Sequence, residues 1–184
     1  QRFSPRRRHR LIGRAWGHGV GFAAGEGTAQ GQPQHEVDLA ILARGETPVE
    51  VQKGLGGEPE DEHSRYIEAD IFGIRVASIY LPNGNPQPGP KFDYKLRWMT
   101  RLRTRAQDIL AEEVPAILAG DYNVIPHDDD IFRPAAMADD ALMQPQSRAA
   151  YRRILGDGWA DALRSRHPAG GIWTYWDYQA GAWQ

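Results

Sequence analysis

The sequence predicts an α+β fold, and three stretches carry that expectation. Residues Tyr66–Ile71 and Ile74–Tyr80 alternate apolar and polar side chains on either side of Gly73, as a hairpin of half-exposed antiparallel strands does. Phe92–Glu113 places Leu96, Met99, Leu102, Ala106, Ile109 and Leu110 mostly three and four residues apart, one apolar face of a helix. Val114–Ala119 is a short apolar run closed by Gly120, the mark of a buried strand. Hairpin strands interrupted by helices long enough to cover a sheet face argue for two layers, or for a sandwich with flanking helices.

Taken in order, residues 1–36 are rich in Arg and Gly, with few strongly apolar positions beyond Leu11, Ile12, Trp16, Val20 and Phe22. They are expected to be irregular and are assigned to no domain; the run Arg6-Arg7-Arg8-His9-Arg10 is a solvated basic tail or an arm that touches phosphate. From residue 37 to 184 one domain is expected. Leu39–Ala43 and Val49–Val51 read as strands, and Glu58–Ser64 as an acidic loop. Leu81–Pro90 holds four prolines, two asparagines and two glycines, which is loop. On the following helix Arg97, Arg101 and Arg105 are expected to form a solvated face. His127-Asp128-Asp129-Asp130 lacks calcium-loop spacing and reads as a loop or helix cap. Ser147 is expected to cap a helix ending at Leu155–Gly156, and Trp173–Tyr178 to form an aromatic strand.

Composition narrows the function. The chain has 184 residues, no cysteine, 25% charged residues and a net charge of -2. Disulfide frameworks, thiolate metal sites and cysteine nucleophiles are excluded. Bulk charge gives no reason to expect nucleic acid, so any such site must come from local clustering. No apolar stretch approaches the ~20 residues of a membrane span.

Gly120-Asp121-Tyr122-Asn123 is the segment with the most chemistry. Residues two apart on a strand share a face, so Asp121 and Asn123 are expected to project together from a strand end. A carboxylate there can bind a hard metal or take a proton from water; an amide beside it can orient a phosphate oxygen or the carboxylate itself. The same four residues are also good turn chemistry, because Asp and Asn bond their own backbone.

Three segments together resemble the exonuclease III type of abasic-site endonucleases, within the endonuclease/exonuclease/phosphatase superfamily. They are Ala77-Ser78-Ile79-Tyr80-Leu81-Pro82-Asn83-Gly84, Ala119-Gly120-Asp121-Tyr122-Asn123-Val124-Ile125-Pro126, and Trp173-Thr174-Tyr175-Trp176-Asp177-Tyr178-Gln179-Ala180-Gly181, with Lys91-Phe92-Asp93-Tyr94-Lys95-Leu96 opening the helix between the first two. The resemblance implies a four-layered α/β-sandwich and Mg²⁺- or Mn²⁺-dependent cleavage of phosphodiesters in double-stranded DNA, abasic-site DNA above all. Asp121 matches the residue that positions or deprotonates the attacking water, and Asn123 the one that holds that carboxylate and the phosphate; both are implied at the metal. Tyr80 matches the tyrosine on the scissile phosphate. Asn83 falls in the matching substrate loop, and Tyr175 and Trp176 match the aromatic wall of the pocket for an extruded sugar. A cytoplasmic, bacterial-type, nucleoid-associated monomer is expected.

The sequence also departs from that pattern. The family's opening Trp-Asn-x-Asn strand, its Gln-Glu-Thr segment with the metal-binding Glu, and its late Arg-Ile-Asp-His and Ser-Asp-His segments do not occur here. The chain therefore reads as the central part of such a nuclease. The alternatives are a non-catalytic fragment or degenerate DNA-binding module, and a related phosphatase or phosphodiesterase.

Overall fold

A computed structural model describes residues 10–13, 20–26, 37–59, 61–169 and 172–176. Its strands in chain order are β1 (Arg10–Gly13), β2 (Val20–Glu26), β3 (Val37–Ala43), β4 (Val49–Lys53), β5 (Tyr66–Ile71), β6 (Ile74–Tyr80), β7 (Ala116–Asp121) and β8 (Ala160–Asp161). The helices are α1 (Pro90–Ala111), α2 (Pro145–Gly156) and the short α3 (Ala162–Arg166).

Six strands form one mixed sheet in the order β4-β5-β6-β7-β1-β8, while β2 and β3 pair antiparallel in a second sheet. The β4-β5-β6 part is antiparallel. Beyond it, β6, β7, β1 and β8 run parallel, because α1 carries the chain from the end of β6 back to the start of β7. Such a crossover is what parallel neighbours require.

Pro90 opens α1, a position where its missing N–H costs nothing. The helix buries Phe92, Lys95, Trp98, Met99, Leu102, Ala106 and Ile109. Most of that stripe meets Ala77 and Ile79 of β6, Ala116 and Leu118 of β7, and Ala150, Tyr151 and Ile154 of α2 in one core cluster. The second sheet, through β3, lies against β5 and β6. The described residues thus form three layers, helices on sheet on sheet, as part of the expected α/β-sandwich.

Several expectations are corrected. Residues 1–36 are not irregular throughout: they contribute β1, which sits inside the main sheet between β7 and β8, and β2. Pairing on both sides offsets a weak strand propensity there. The rest of the Arg-rich start lies outside the described residues. β5 is not half-exposed, since Glu68 is fully buried. Arg101 and Arg105 are not solvated; their side chains are 12% and 15% exposed and bridge Glu58 and Asp61, and Glu68 and Glu112, respectively. Ser147 lies inside α2, where its hydroxyl donates to the Ala141 carbonyl, and Gln144 is the N-cap residue. Residues 172–176 form no strand; Asp177 and Tyr178 lie outside the described residues.

Candidate active site

Parallel pairing of β6 and β7 puts Tyr80 directly opposite Asp121 at the carboxyl ends of both strands. Side chains alternate along a strand. Because Ala77, Ile79, Ala116 and Leu118 face the helices, Ser78, Tyr80, Ala119 and Asp121 face away from them, on the side of the second sheet. Gly120 makes the close approach possible. A Cβ there would stand 2.0 Å from the Ile79 carbonyl oxygen, and its φ of +136° is one that side chains resist.

The chain then turns sharply. Asn123 adopts φ +44°, its backbone N–H donates to Asp121 Oδ1 at 2.8 Å, and its Nδ2 donates to the Leu81 carbonyl at 2.6 Å. The Leu81 N–H in turn donates to the Asp121 carbonyl at 2.8 Å. Turn chemistry and site chemistry therefore coexist, but the expected side-by-side projection does not hold. β7 ends at Asp121, so period-2 alternation stops before Asn123. Asp121 is exposed, whereas Asn123 is buried with its amide nitrogen committed to the neighbouring loop. Tyr80 is half-buried, and the Arg65 guanidinium carbon lies 5.3 Å from its ring centroid.

Asn83 is exposed in the loop after β6, its Oδ1 accepting from the Asn85 N–H at 3.1 Å. Asn85 pins this loop by donating to Asp140 Oδ2 and accepting from the Ala141 N–H, each at 3.0 Å. Beneath the loop lies Lys95, fully buried, whose Nζ donates to the Asn83 carbonyl at 2.9 Å and the Asn123 carbonyl at 2.5 Å. Burial pushes its ammonium down to about 8, against the upward pull of the Asp140 and Asp121 charges. Sequence reasoning alone gives this residue no role. Its signal is a charge on the apolar stripe of α1, three residues after Phe92 and four before Met99.

Tyr175 and Trp176 arrive separately. Tyr175 packs on a small cluster of Ile125, Ile131 and Leu142, and Trp176 is 39% exposed. Asp130 holds their segment. It is 1% exposed; its carbonyl accepts from the Thr174 and Tyr175 N–H groups, and its Oδ1 from Thr174 Oγ1 and Arg164 Nη2, both at 2.7 Å. Asp130 Oδ2 also takes the His127 N–H at 3.0 Å, closing a capping box on a 3₁₀ turn, as the cap reading expects.

Among the described residues, no group of three or more His, Asp or Glu side chains converges as a metal cage would need. Asp121 offers one carboxylate and Asn123 one amide oxygen. A carboxylate and an amide oxygen are hard donors of the kind Mg²⁺ or Mn²⁺ takes, alongside water and substrate phosphate.

Fold and site together define a class: layered α/β-sandwiches that carry polar site residues where the central strands end. Within it, residues 5–184 match the Endonuclease/Exonuclease/phosphatase family, to which the chain belongs. It is 31% identical over 144 residues to the exodeoxyribonuclease of Bacillus subtilis (strain 168), covering 78% of this chain and 56% of that relative. Among solved structures, an AP endonuclease from Archaeoglobus fulgidus superposes with a TM-score of 0.73 at 34% identity, covering 88% of this chain and 59% of the other. A variant of the 3′ phosphatase NExo from Neisseria, bound to product DNA hairpin, gives 0.76 at 29% identity, covering 90% and 62%. The chain thus spans somewhat more than half the length of each.

Proposed function

We propose that this chain belongs to a divalent-metal-dependent DNA repair nuclease, a monomer that hydrolyses phosphodiesters at abasic sites and at 3′ ends of duplex DNA. The observation that carries the reading is the Tyr80–Asp121 pair on adjacent parallel strand ends, braced by the Asn123 turn. In open α/β sheets the carboxyl ends of parallel strands are where ligands bind.

Each residue then has a task. Asp121 orients the attacking water and accepts its proton. Tyr80 donates its hydroxyl hydrogen to a phosphoryl oxygen as negative charge builds there. Asn123 fixes the Asp121 carboxylate through its backbone N–H and holds the loop after β6 through its amide. Asn83 contacts the DNA beside the broken bond, and Tyr175 and Trp176 offer aromatic faces to the extruded sugar, in place of lost base stacking. Mg²⁺ or Mn²⁺ would be held by Asp121 and Asn123 and would supply Lewis-acid stabilisation of the phosphoryl charge.

The test is incision of a duplex carrying one abasic site by the full-length protein, with Mg²⁺ and with EDTA. Cutting that needs metal supports the reading. No cutting under either condition sinks it and leaves a non-catalytic DNA-binding module. The resemblance to a 3′ phosphatase favours one further substrate. A duplex with a 3′-phosphate end, assayed in parallel, ranks terminal phosphate removal against internal incision.

A further inference from the structure

We infer that Lys95 is a positioning residue that clamps the Asn83 loop to the Asn123 turn and so sets the geometry between Tyr80 and Asp121. This rests on the site reading above. Both hydrogen-bond acceptors of its Nζ are backbone carbonyls of site residues, one on each segment. The loop follows Tyr80 and the turn follows Asp121, so one side chain spans the two chain segments that leave the paired strand ends. Its reach therefore fixes how far apart they stand.

The clamp has little slack. Gly84 sits at φ +92° against the lysine stem, and a Cβ there would meet Lys95 Cδ at 2.6 Å and Phe92 and Ala141 side-chain carbons at 3.3 Å. The charge is also placed unusually. Lys95 is fully buried, and its Nζ donates to two neutral backbone carbonyls. The Asp121 and Asp140 charges act on it only from further away. A buried ammonium held by neutral carbonyls is a fixed positive charge that the Asp121 carboxylate feels, and fixed charges need no reorganisation during a reaction.

The experiment replaces Lys95→Met in the full-length protein and reads two things. The first is hydrogen exchange at the Leu81 and Asn123 amides, which close the loop and the turn. The second is kcat and KM on an abasic duplex with Mg²⁺. Protection at those two amides is expected to fall while the Ile79 and Leu118 amides keep theirs. kcat is expected to drop on the order of 10²-fold, as a misplacement of about 1 Å can cause, with KM within about threefold because ground-state binding is retained. Unchanged protection at Leu81 and Asn123 overturns the clamp. So does a uniform loss that includes the core amides, or lost protection with kcat retained. If the methionine variant does not fold, Lys95→Gln, too short to reach both carbonyls, is read in the same two assays. A parent protein that cuts no DNA refutes the nuclease reading alone, since the exchange arm still decides the clamp.

Discussion

The two ends of β6 each bury cations, and they treat them in opposite ways. At the start of the strand, Arg75 is 8% exposed and meets Asp70 at 2.6 Å, Glu68 at 2.9 Å and Glu112 at 2.6 Å. Arg105 joins from α1 onto Glu68 at 2.6 Å and Glu112 at 3.2 Å. Tyr66 donates its hydroxyl to Glu68 as well. Two guanidiniums and three carboxylates thus pair with one another. Beyond the far end of the strand, Lys95 donates to two backbone carbonyls among the described residues. Desolvated charge is costly unless it is paired. The closed network meets that cost by internal pairing. The open one holds its charge on neutral carbonyls beside the strand ends where an anionic substrate is proposed to bind.

If that contrast is right, the two ends fail differently. Asp121→Asn is expected to lower kcat by about 10³-fold, within the range for loss of a general base, while leaving the denaturation midpoint almost unmoved. Incision rates and urea melts on the same preparation check it. Glu68→Gln is expected to do the reverse. It removes the buried carboxylate that Arg75 and Arg105 share and leaves them Asp70 and Glu112 at the more exposed rim, a loss of about 3 kcal/mol in stability, with kcat per folded molecule unchanged. A variant at Glu68 that folds fully and yet loses turnover would break the comparison.

The closed end was the harder of the two to read in the sequence. Glu68 alternates with Ile67 and Ala69 as a solvent-facing residue would, and only the register Glu68↔Ala77 turns it toward α1, onto Arg105. Helix α1 itself was legible, because its burial follows a local spacing of three and four. So were the hairpin and the Gly120-Asp121 strand end. The Tyr80–Asp121 neighbourhood depends on parallel pairing across a whole helix, which local pattern does not encode. β1 is four residues whose place inside the sheet is set by its partners, not by its composition. Asn123 was readable as a site residue or as a turn residue, and its φ of +44° makes it a turn residue at the site.

A smaller effect sharpens the contrast from a third place. Asp130 ties the Tyr175–Trp176 segment down with a carboxylate that also pairs with Arg164. Asp130→Asn keeps acceptors for Thr174 but removes the charge that Arg164 faces. About 2 kcal/mol of stability should go, in the range for a hydrogen bond to a charged group. If Tyr175 and Trp176 receive the sugar, KM for abasic duplex should rise more than kcat falls, the opposite split from that expected at Lys95. Steady-state kinetics across duplex concentrations separates the two.

Acid should find the closed end with the gentlest touch. Burial alone would raise the Glu68 pKa. Hydrogen bonds from Arg105 and Tyr66, with the charges of Arg105 and Arg75, outweigh it and hold the carboxyl below its ordinary 4.5. A carboxylate lowered in the fold contributes stability that is fully present above pH 4.5 and lost as pH falls through the lower, folded value. In that window each extra proton taken up on unfolding steepens the loss by at most about 1.4 kcal/mol per pH unit. Urea midpoints measured from pH 6 downward should therefore fall more steeply in the parent than in Glu68→Gln, which has no proton to take up there. Equal slopes would mean that the network at the start of β6 owes its stability to packing around neutral groups, and the contrast with Lys95 would then be one of geometry and not of charge.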